Sequence, residues 1–242
     1  MSWQFKPKLI PTVAVIILFP ILLALGFWQL NRADQKAALY AQYQVRRHLA
    51  PLNLNTAAVA STDDLLWRSV SVQGIFDGTN YLLDNQVLNG DAGYFVYTPF
   101  RLVPGEKRAL VNRGWVRIGA DRARLPRLPT PAGLIHIEGV IKEPPRTGIL
   151  LSNNTWEEPG SGVVRVQNID MGAIAKKAGH TFLPFIVRLN AASEAGFTRH
   201  WIDPGSGRVM HLGYAFQWFL LSAVLVVIYL TVNLKKKSQS HA

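Results

Sequence analysis

Two uncharged apolar runs decide what this chain can become. Residues 9–30 lie between Lys8 and Arg32, and residues 212–234 lie between His211 and Lys235, with no charge inside either. A helix needs roughly 20 apolar residues to cross the core of a bilayer, so each run is long enough to span once. The residues between the two runs, about 180 of them, are enough for one mid-sized polar domain. The first run has a rival reading. Lys6 and Lys8 fit the n-region of a signal peptide, and Ala24-Leu25-Gly26 is a passable cleavage site. Against that, the run is longer than most such regions, and Pro11 and Pro20 are tolerated within membrane helices.

Lysine and arginine near the membrane set orientation. Lys6 and Lys8 precede the first run, Lys235, Lys236 and Lys237 follow the second, and neither tail holds an acid. Both tails are therefore expected in the cytoplasm and the domain outside it, in a periplasm or an equivalent space. Arg32 and Lys36 oppose this, but a domain of this length crosses largely regardless of charge. The expected layout is a cytoplasmic tail at 1–8, a membrane helix at 9–30, a β-rich domain at 49–208, a second membrane helix at 211–234 and a basic tail at 235–242. Residues 29–47 lack proline and glycine and are rich in helix formers, so the first helix should continue to about residue 48, where Pro51 stops it.

The chain has no cysteine. That excludes disulfides, thiolate metal sites, thiol redox chemistry and covalent C-x-x-C-H haem attachment. Net charge is +11, and with the five tail lysines set aside the middle still carries +6. Residues 101–127 are densest, with Arg101, Lys107, Arg108, Arg113, Arg117, Arg122, Arg124 and Arg127 against Glu106 and Asp121. A solvated basic face and a surface for anionic headgroups or an acidic partner both fit. Nucleic acid is not expected for a domain facing outward.

The middle reads as strands. Residues 67–74 and 134–141 alternate apolar and polar with period two. Asn89-Gly90 is a strong hairpin signal between strands near 81–84 and 94–102, and Pro99 suggests an edge or a bulge. A strand at 108–112 ends or bends at Arg113-Gly114-Trp115-Val116. Residues 153–162 read as a loop and 163–166 as a short strand. Residues 170–178 form a helix capped by Asp170 and stopped by Gly179. A strand follows at 182–189 and a weaker one at 197–202. No βαβ rhythm is visible. The fold class is thus membrane α+β: two transmembrane helices flanking an outward-facing antiparallel β-sheet or small barrel with one short helix.

No H-E-x-x-H pattern, close histidine cluster or G-x-S-x-G context suggests a catalytic or multi-ligand metal site. What stands out is His211 at the mouth of the second run, with Tyr214 and Trp218 near its face of a helix. The two runs cross in opposite directions, so Trp28, Gln29 and Arg32 at the end of the first share their depth. Trp28, Tyr214 and Trp218 also fit an aromatic belt, Arg32 also fits snorkelling, and His211 also fits an interfacial histidine bound to water. The sharper reading is a site for a flat, hydrophobic, anionic ligand. A neutral imidazole can ligate an iron centre axially, rings can pack a macrocycle and arginine can pair with propionates. Haem suits that set, though residue types alone do not demand it.

Five segments carry a family likeness. They are Gly26-Phe-Trp-Gln-Leu-Asn-Arg32, Arg68-Ser-Val-Ser-Val-Gln-Gly74 with Phe76-Asp77, Gly93-Tyr94 through Thr98-Pro99, Leu110-Val-Asn-Arg-Gly-Trp-Val116, and His211-Leu-Gly-Tyr-Ala-Phe-Gln-Trp-Phe219. In this order they resemble the blocks of the SURF1 (surfeit locus protein 1, yeast Shy1) family. The family often has Asn before the histidine segment, where this chain has Arg208-Val-Met210.

The resemblance implies a bacterial cytochrome c oxidase assembly factor, not an enzyme. It implies two retained spans in the bacterial inner membrane and haem a bound for delivery to the catalytic subunit of the oxidase. The family histidine tied to haem falls on His211, which would be the axial ligand and metal site with Tyr214 and Trp218 as walls; Trp28, Gln29 and Arg32 join it from their shared membrane depth, not from the resemblance. Arg32, or an arginine of the domain, would pair with the propionates. The expected partners are that catalytic subunit, a haem a synthase and the lipid bilayer. The alternative is an interaction scaffold that holds an oxidase subunit or the synthase without binding haem, with contacts around Arg113-Gly-Trp115.

Overall fold

The computed structural model describes residues 3–57, 62–145, 156–158 and 162–236. Most of the loop expected at 153–162 lies outside these residues. In chain order the elements are β1 (Trp3–Phe5), α1 (Leu9–Arg47), β2 (Leu52–Asn53), β3 (Ser69–Phe76), β4 (Asn80–Leu88), β5 (Asp91–Leu102), β6 (Arg108–Arg117), β7 (Ile135–Lys142), β8 (Val163–Val166), α2 (Met171–Ala178), β9 (Phe182–Leu189), α3 (Arg208–Asn233) and β10 (Leu234–Lys236). They divide into a helical unit (residues 3–43 with 202–236) and a domain (Gln44–Trp201).

In the domain, β3, β7, β9, β6 and β5 pair in sequence, and β5 closes the ring by pairing with β3 through Gly74↔Leu102, Ile75↔Arg101 and Phe76↔Phe100. The result is a five-stranded barrel-like sheet, extended beyond β5 by β4 and β8 and beyond β3 by β2. Closure requires close backbone approach at Gly74, where a Cβ would fall 2.2 Å from the Arg101 carbonyl oxygen. Alternate residues of the strands fill the barrel. Val70, Val72, Phe100, Ala109, Val111, Ile137, Phe185 and Val187 are all buried, as the period-two pattern requires. On the other face of the sheet α2 packs Ile174 against Tyr81, Tyr97, Leu110 and Ile186, so β6 is buried on both sides over Arg108–Trp115.

The expectation of an antiparallel sheet needs correction. The hairpins β4–β5 and β5–β6 are antiparallel, but β2–β3, β4–β8 and β6–β9 are parallel. Parallel strands need a crossover, and the passage β8–α2–β9 supplies one for β9. All three parts of that strand–helix–strand unit are legible in the sequence, but the parallel pairing of β9 with β6 is not. Pro99 is neither at an edge nor in a bulge. It sits where β5 exchanges β4 (Tyr81↔Tyr97) for β3 (Phe76↔Phe100), a point at which its missing N–H costs no ladder bond. The bulge falls at Arg113, the extra residue between Asn112↔Tyr97 and Gly114↔Val96. Residues 197–202 form no strand and meet β6 through one bridge, Trp115↔Thr198. The α2 boundaries follow the sequence: Asp170 accepts from the Ala173 N–H at 3.0 Å, and Gly179 adopts the left-handed conformation.

Five of the eight cations in the basic stretch are paired or buried rather than free. Arg108 is buried and donates to Asp77 at 2.5 Å. Arg117 pairs with Asp91, Arg122 with Asp84 at 2.6 Å and Arg124 with Asp121 at 3.3 Å. Arg113, 2% exposed, lies between the rings of Phe76 and Phe197, with its guanidinium carbon 4.8 and 4.7 Å from their centroids. It donates to the carbonyls of Ala195 (2.7 Å) and Pro129 (2.6 Å). Burial pulls its pKa down to about 10. Arg113 and Trp115 are therefore core residues, and changes there act on folding before they act on any partner surface.

In the helical unit, α1 and α3 are each long and apolar enough to cross a membrane. β1 and β10 pair antiparallel beside the ends of the helices, with Phe5 opposite Leu234.

Candidate functional site

The contacts between α1 and α3 show their register. Lys8 N–H donates to Asn233 Oδ1 (2.8 Å), the Thr12 and Tyr229 hydroxyls share a bond (3.0 Å), Gly26 meets Phe219, and Gln29 meets His211. Numbers rise along α1 as they fall along α3, so the helices pack antiparallel. The α1 seam runs Gly26, Gln29, Ala33, Lys36, Tyr40, Tyr43. Its alternating steps of three and four keep one stripe against a neighbour. Gly26, Gln29, Ala33 and Tyr43 on that stripe are buried, as are Ala215, Ser222 and Asn233 of α3. Gly26 permits the approach, since a Cβ there would lie 2.5 Å from the Phe219 ring. Small residues at such contacts let helix backbones come close where no hydrophobic effect drives them together.

At the Gln29 level the seam becomes polar. His211 Nδ1 lies 2.7 Å from Gln29 Oε1. That oxygen only accepts, so Nδ1 carries the hydrogen and donates. In a neutral ring the lone pair is then on Nε2, which has no hydrogen-bond partner among the described residues. This is how a metal-ligating histidine is usually oriented, with one nitrogen fixed by a neighbour and the other left to the metal. The side chain of Gln29 is buried and that of His211 half-buried.

Of the six residues expected at a site, the structure brings Gln29 and His211 into contact. Tyr214 and Trp218 lie three and seven residues beyond His211, within 60° of it around α3. Tyr214 is exposed and Trp218 half-buried. Trp28 is exposed next to Gln29 in the chain. Arg32 is exposed and donates to Gln35 Oε1 at 2.9 Å on its own helix. No hydrogen bond or ring contact joins these four to His211 among the described residues. Nor do any three His, Cys, Asp or Glu side chains gather there to hold a metal ion.

Sequence reasoning missed two features. One is the Gly26–Phe219 contact with its neighbour, the edge-on pair Phe27–Phe219 at 5.3 Å. The other is a cavity of about 540 Å³ beyond the histidine, lined by Lys36, Tyr40, Asp203, Gly205, Ser206 and Arg208 among others. The heptad stripe through Gln29, Ala33, Lys36 and Tyr40 was legible and would have pointed to Lys36.

A sequence model of the SURF1 family matches residues 16–223. A SURF1-like protein of Rickettsia felis is 29% identical over 230 residues, covering 90% of this chain and 94% of that protein. The surfeit locus protein 1 of Arabidopsis thaliana is 32% identical over 108 residues, 40% of this chain and 30% of its own length. The cytochrome oxidase assembly protein SHY1 of Saccharomyces cerevisiae is 26% identical over 170 residues, 66% of this chain and 42% of its own length. The matched region contains the greater part of both apolar helices, the barrel, Gln29 and His211, and the chain belongs to the SURF1 family.

Proposed function

We propose that this protein is a non-enzymatic assembly factor for cytochrome c oxidase that holds haem a and aids its delivery to the catalytic subunit of the oxidase. The observation that carries the haem reading is the 2.7 Å contact from His211 Nδ1 to Gln29 Oε1, which leaves Nε2 free to ligate iron. Haem here is cargo. Its iron accepts the Nε2 lone pair, Tyr214, Trp218 and Trp28 offer aromatic surface along the same stretch of the helices, and Gln29 fixes the imidazole. One protein ligand suits a carrier, because a second would slow release. Family membership and the SHY1 likeness support the oxidase role.

In this reading α1 and α3 anchor the chain in the bacterial inner membrane. The lysine-rich tails support a cytoplasmic location for both termini and a periplasmic one for the barrel. The partners are the catalytic subunit and a haem a synthase.

The test is co-expression with a haem a synthase, purification and absorption spectroscopy. The parent should carry haem a with an axial imidazole spectrum, and His211→Ala should lose most of it. If His211→Ala keeps the parent's haem content and spectrum while still supporting oxidase assembly, the scaffold reading replaces this one.

A further inference from the structure

The cavity beyond His211 is built from two segments of the helical unit: the stretch of α1 around Lys36 and Tyr40, and the turn from Asp203 to Arg208 that opens α3. Lys36 and Arg208 both line it, and neither has an ion-pair partner among the described residues. Two like charges facing one cavity repel each other, and an anion between them turns that repulsion into attraction. Asp203 also lines the cavity, its Oδ1 accepting from the Tyr43 hydroxyl at 2.8 Å, and with no ion pair to either cation among the described residues it leaves the lining with one positive charge in excess. The wall is firm. A Cβ on Gly205, at φ +85°, would fall 2.7 Å from both the Lys36 carbonyl oxygen and Tyr40 Cβ, so the turn lies directly on α1. Gly207 offers no side-chain cap to the first turn of α3, which adds to the preference for an anion.

Position says what kind of anion. Lys36 is seven residues beyond Gln29 on the same stripe, about 10.5 Å along the helix at 1.5 Å per residue. Arg208 is one turn before His211. The cavity thus stands just past the end of the apolar run, in line with the seam. A ligand whose acidic group sits there has its apolar body beside the membrane helices.

We propose that this cavity seats the acidic group, carboxylate or phosphate, of a membrane-embedded amphiphile between the Lys36 ammonium and the Arg208 guanidinium. If the group is a propionate of the haem, the site deepens the haem reading and rests on it. If it is the phosphate of an anionic phospholipid, the site is independent of haem. In the first case Lys36 and Arg208, not Arg32, answer the propionates.

The experiment uses the full chain in lipid nanodiscs. Metal-free protoporphyrin IX and its dimethyl ester are titrated by fluorescence, and retention of phosphatidylglycerol against phosphatidylcholine is read by native mass spectrometry. Lys36→Gln/Arg208→Gln is compared with the parent and with the charge-conserving Lys36→Arg/Arg208→Lys. A tenfold or greater loss of affinity for the free acid, with the ester unchanged, supports the site and identifies a carboxylate. Loss of the parent's preference for phosphatidylglycerol supports it and identifies a phosphate. In both cases the charge-conserving variant keeps binding. If the neutral variant matches the parent on both probes, or weakens acid and ester equally without a change in lipid preference, the proposal is overturned. Because the porphyrin carries no iron, these results do not depend on His211 ligation, whose failure is reported separately by His211→Ala with haem a.

Discussion

The two ends of the α1–α3 seam handle polar groups in opposite ways. At the Asn233 end every group is spent. Asn233 Oδ1 accepts from Lys8 N–H, its amide donates to the Tyr229 carbonyl at 2.8 Å, and the Tyr229 hydroxyl meets Thr12. Asn233 is wholly buried. At the His211 end one ring nitrogen is used, the other is left over, and two cations and one acid line a cavity with no ion pair among them in the described residues. The barrel resembles the closed end, with Arg113 satisfied by carbonyls and aromatic rings and Thr98 donating to Asn80 at 2.6 Å within the core. A polar group in apolar surroundings is costly unless paired. Closed clusters therefore hold the fold, and the open one is where a ligand would complete the pairing.

This contrast can be broken at several points. The largest effect is expected from Arg113→Met, which orphans the Ala195 and Pro129 carbonyls and should cost the domain about 3 kcal/mol. Denaturant unfolding followed by proteolysis of the domain measures it, and haem bound per folded molecule should not change. A cost under about 1 kcal/mol would mean that the guanidinium is not needed to satisfy that corner of the core. Next is Gln29→Leu, which removes the acceptor that orients His211. Loss of such a partner typically costs about 10- to 100-fold in metal affinity, so haem a content should fall at least tenfold in a spectroscopic titration. Equal affinity in the two proteins would show that the histidine needs no orienting partner.

Asn233→Leu should weaken helix pairing by about 1 kcal/mol, the usual size for an interhelical hydrogen bond, as read by unfolding in mixed micelles. Haem content should stay at the parent level. A parallel loss of haem would mean that the two ends are not independent.

The smallest effect concerns Lys142, whose ammonium lies 3.0 Å from the centre of the Trp67 ring. Burial first, then nearby Arg188, lowers its pKa to about 8 against an ordinary 10.5, with Glu143 opposing. Above about pH 8 the folded domain has lost a proton that the unfolded chain keeps up to its ordinary pKa, so domain stability should rise with pH across that window. Solvent screening of a partly exposed group holds the gain below about 1 kcal/mol. Lys142→Met should abolish this slope in melting temperature against pH, and a slope that persists would assign the titration elsewhere.

Much of the fold was legible because its signals are local. The Asn89-Gly90 hairpin, the Asp170 and Gly179 boundaries of α2 and the alternation in β3 and β7 each depend on a few neighbouring residues. The parallel pairing of β6 with β9, the change of partner at Pro99 and the use of the basic stretch were not legible. Each depends on what another part of the chain brings alongside. The ion pairs of Arg108, Arg117 and Arg122 were hidden because their partners Asp77, Asp91 and Asp84 stand outside that stretch.

For the candidate site the division is similar. By itself the sequence determined that two apolar helices flank a β-rich domain, that a histidine stands at the mouth of the second, and that thiol chemistry is absent. Family blocks from Gly26 to Phe219 were readable in one dimension. Only the tertiary structure decided that Gln29, rather than Trp28 or Arg32, is the neighbour of His211, and that Lys36 and Arg208 share a cavity. The reason is geometric. Adjacent residues on a helix point about 100° apart, so shared depth in a membrane does not specify contact. The register between two helices, set here by Gly26 against Phe219, selects which side chains meet.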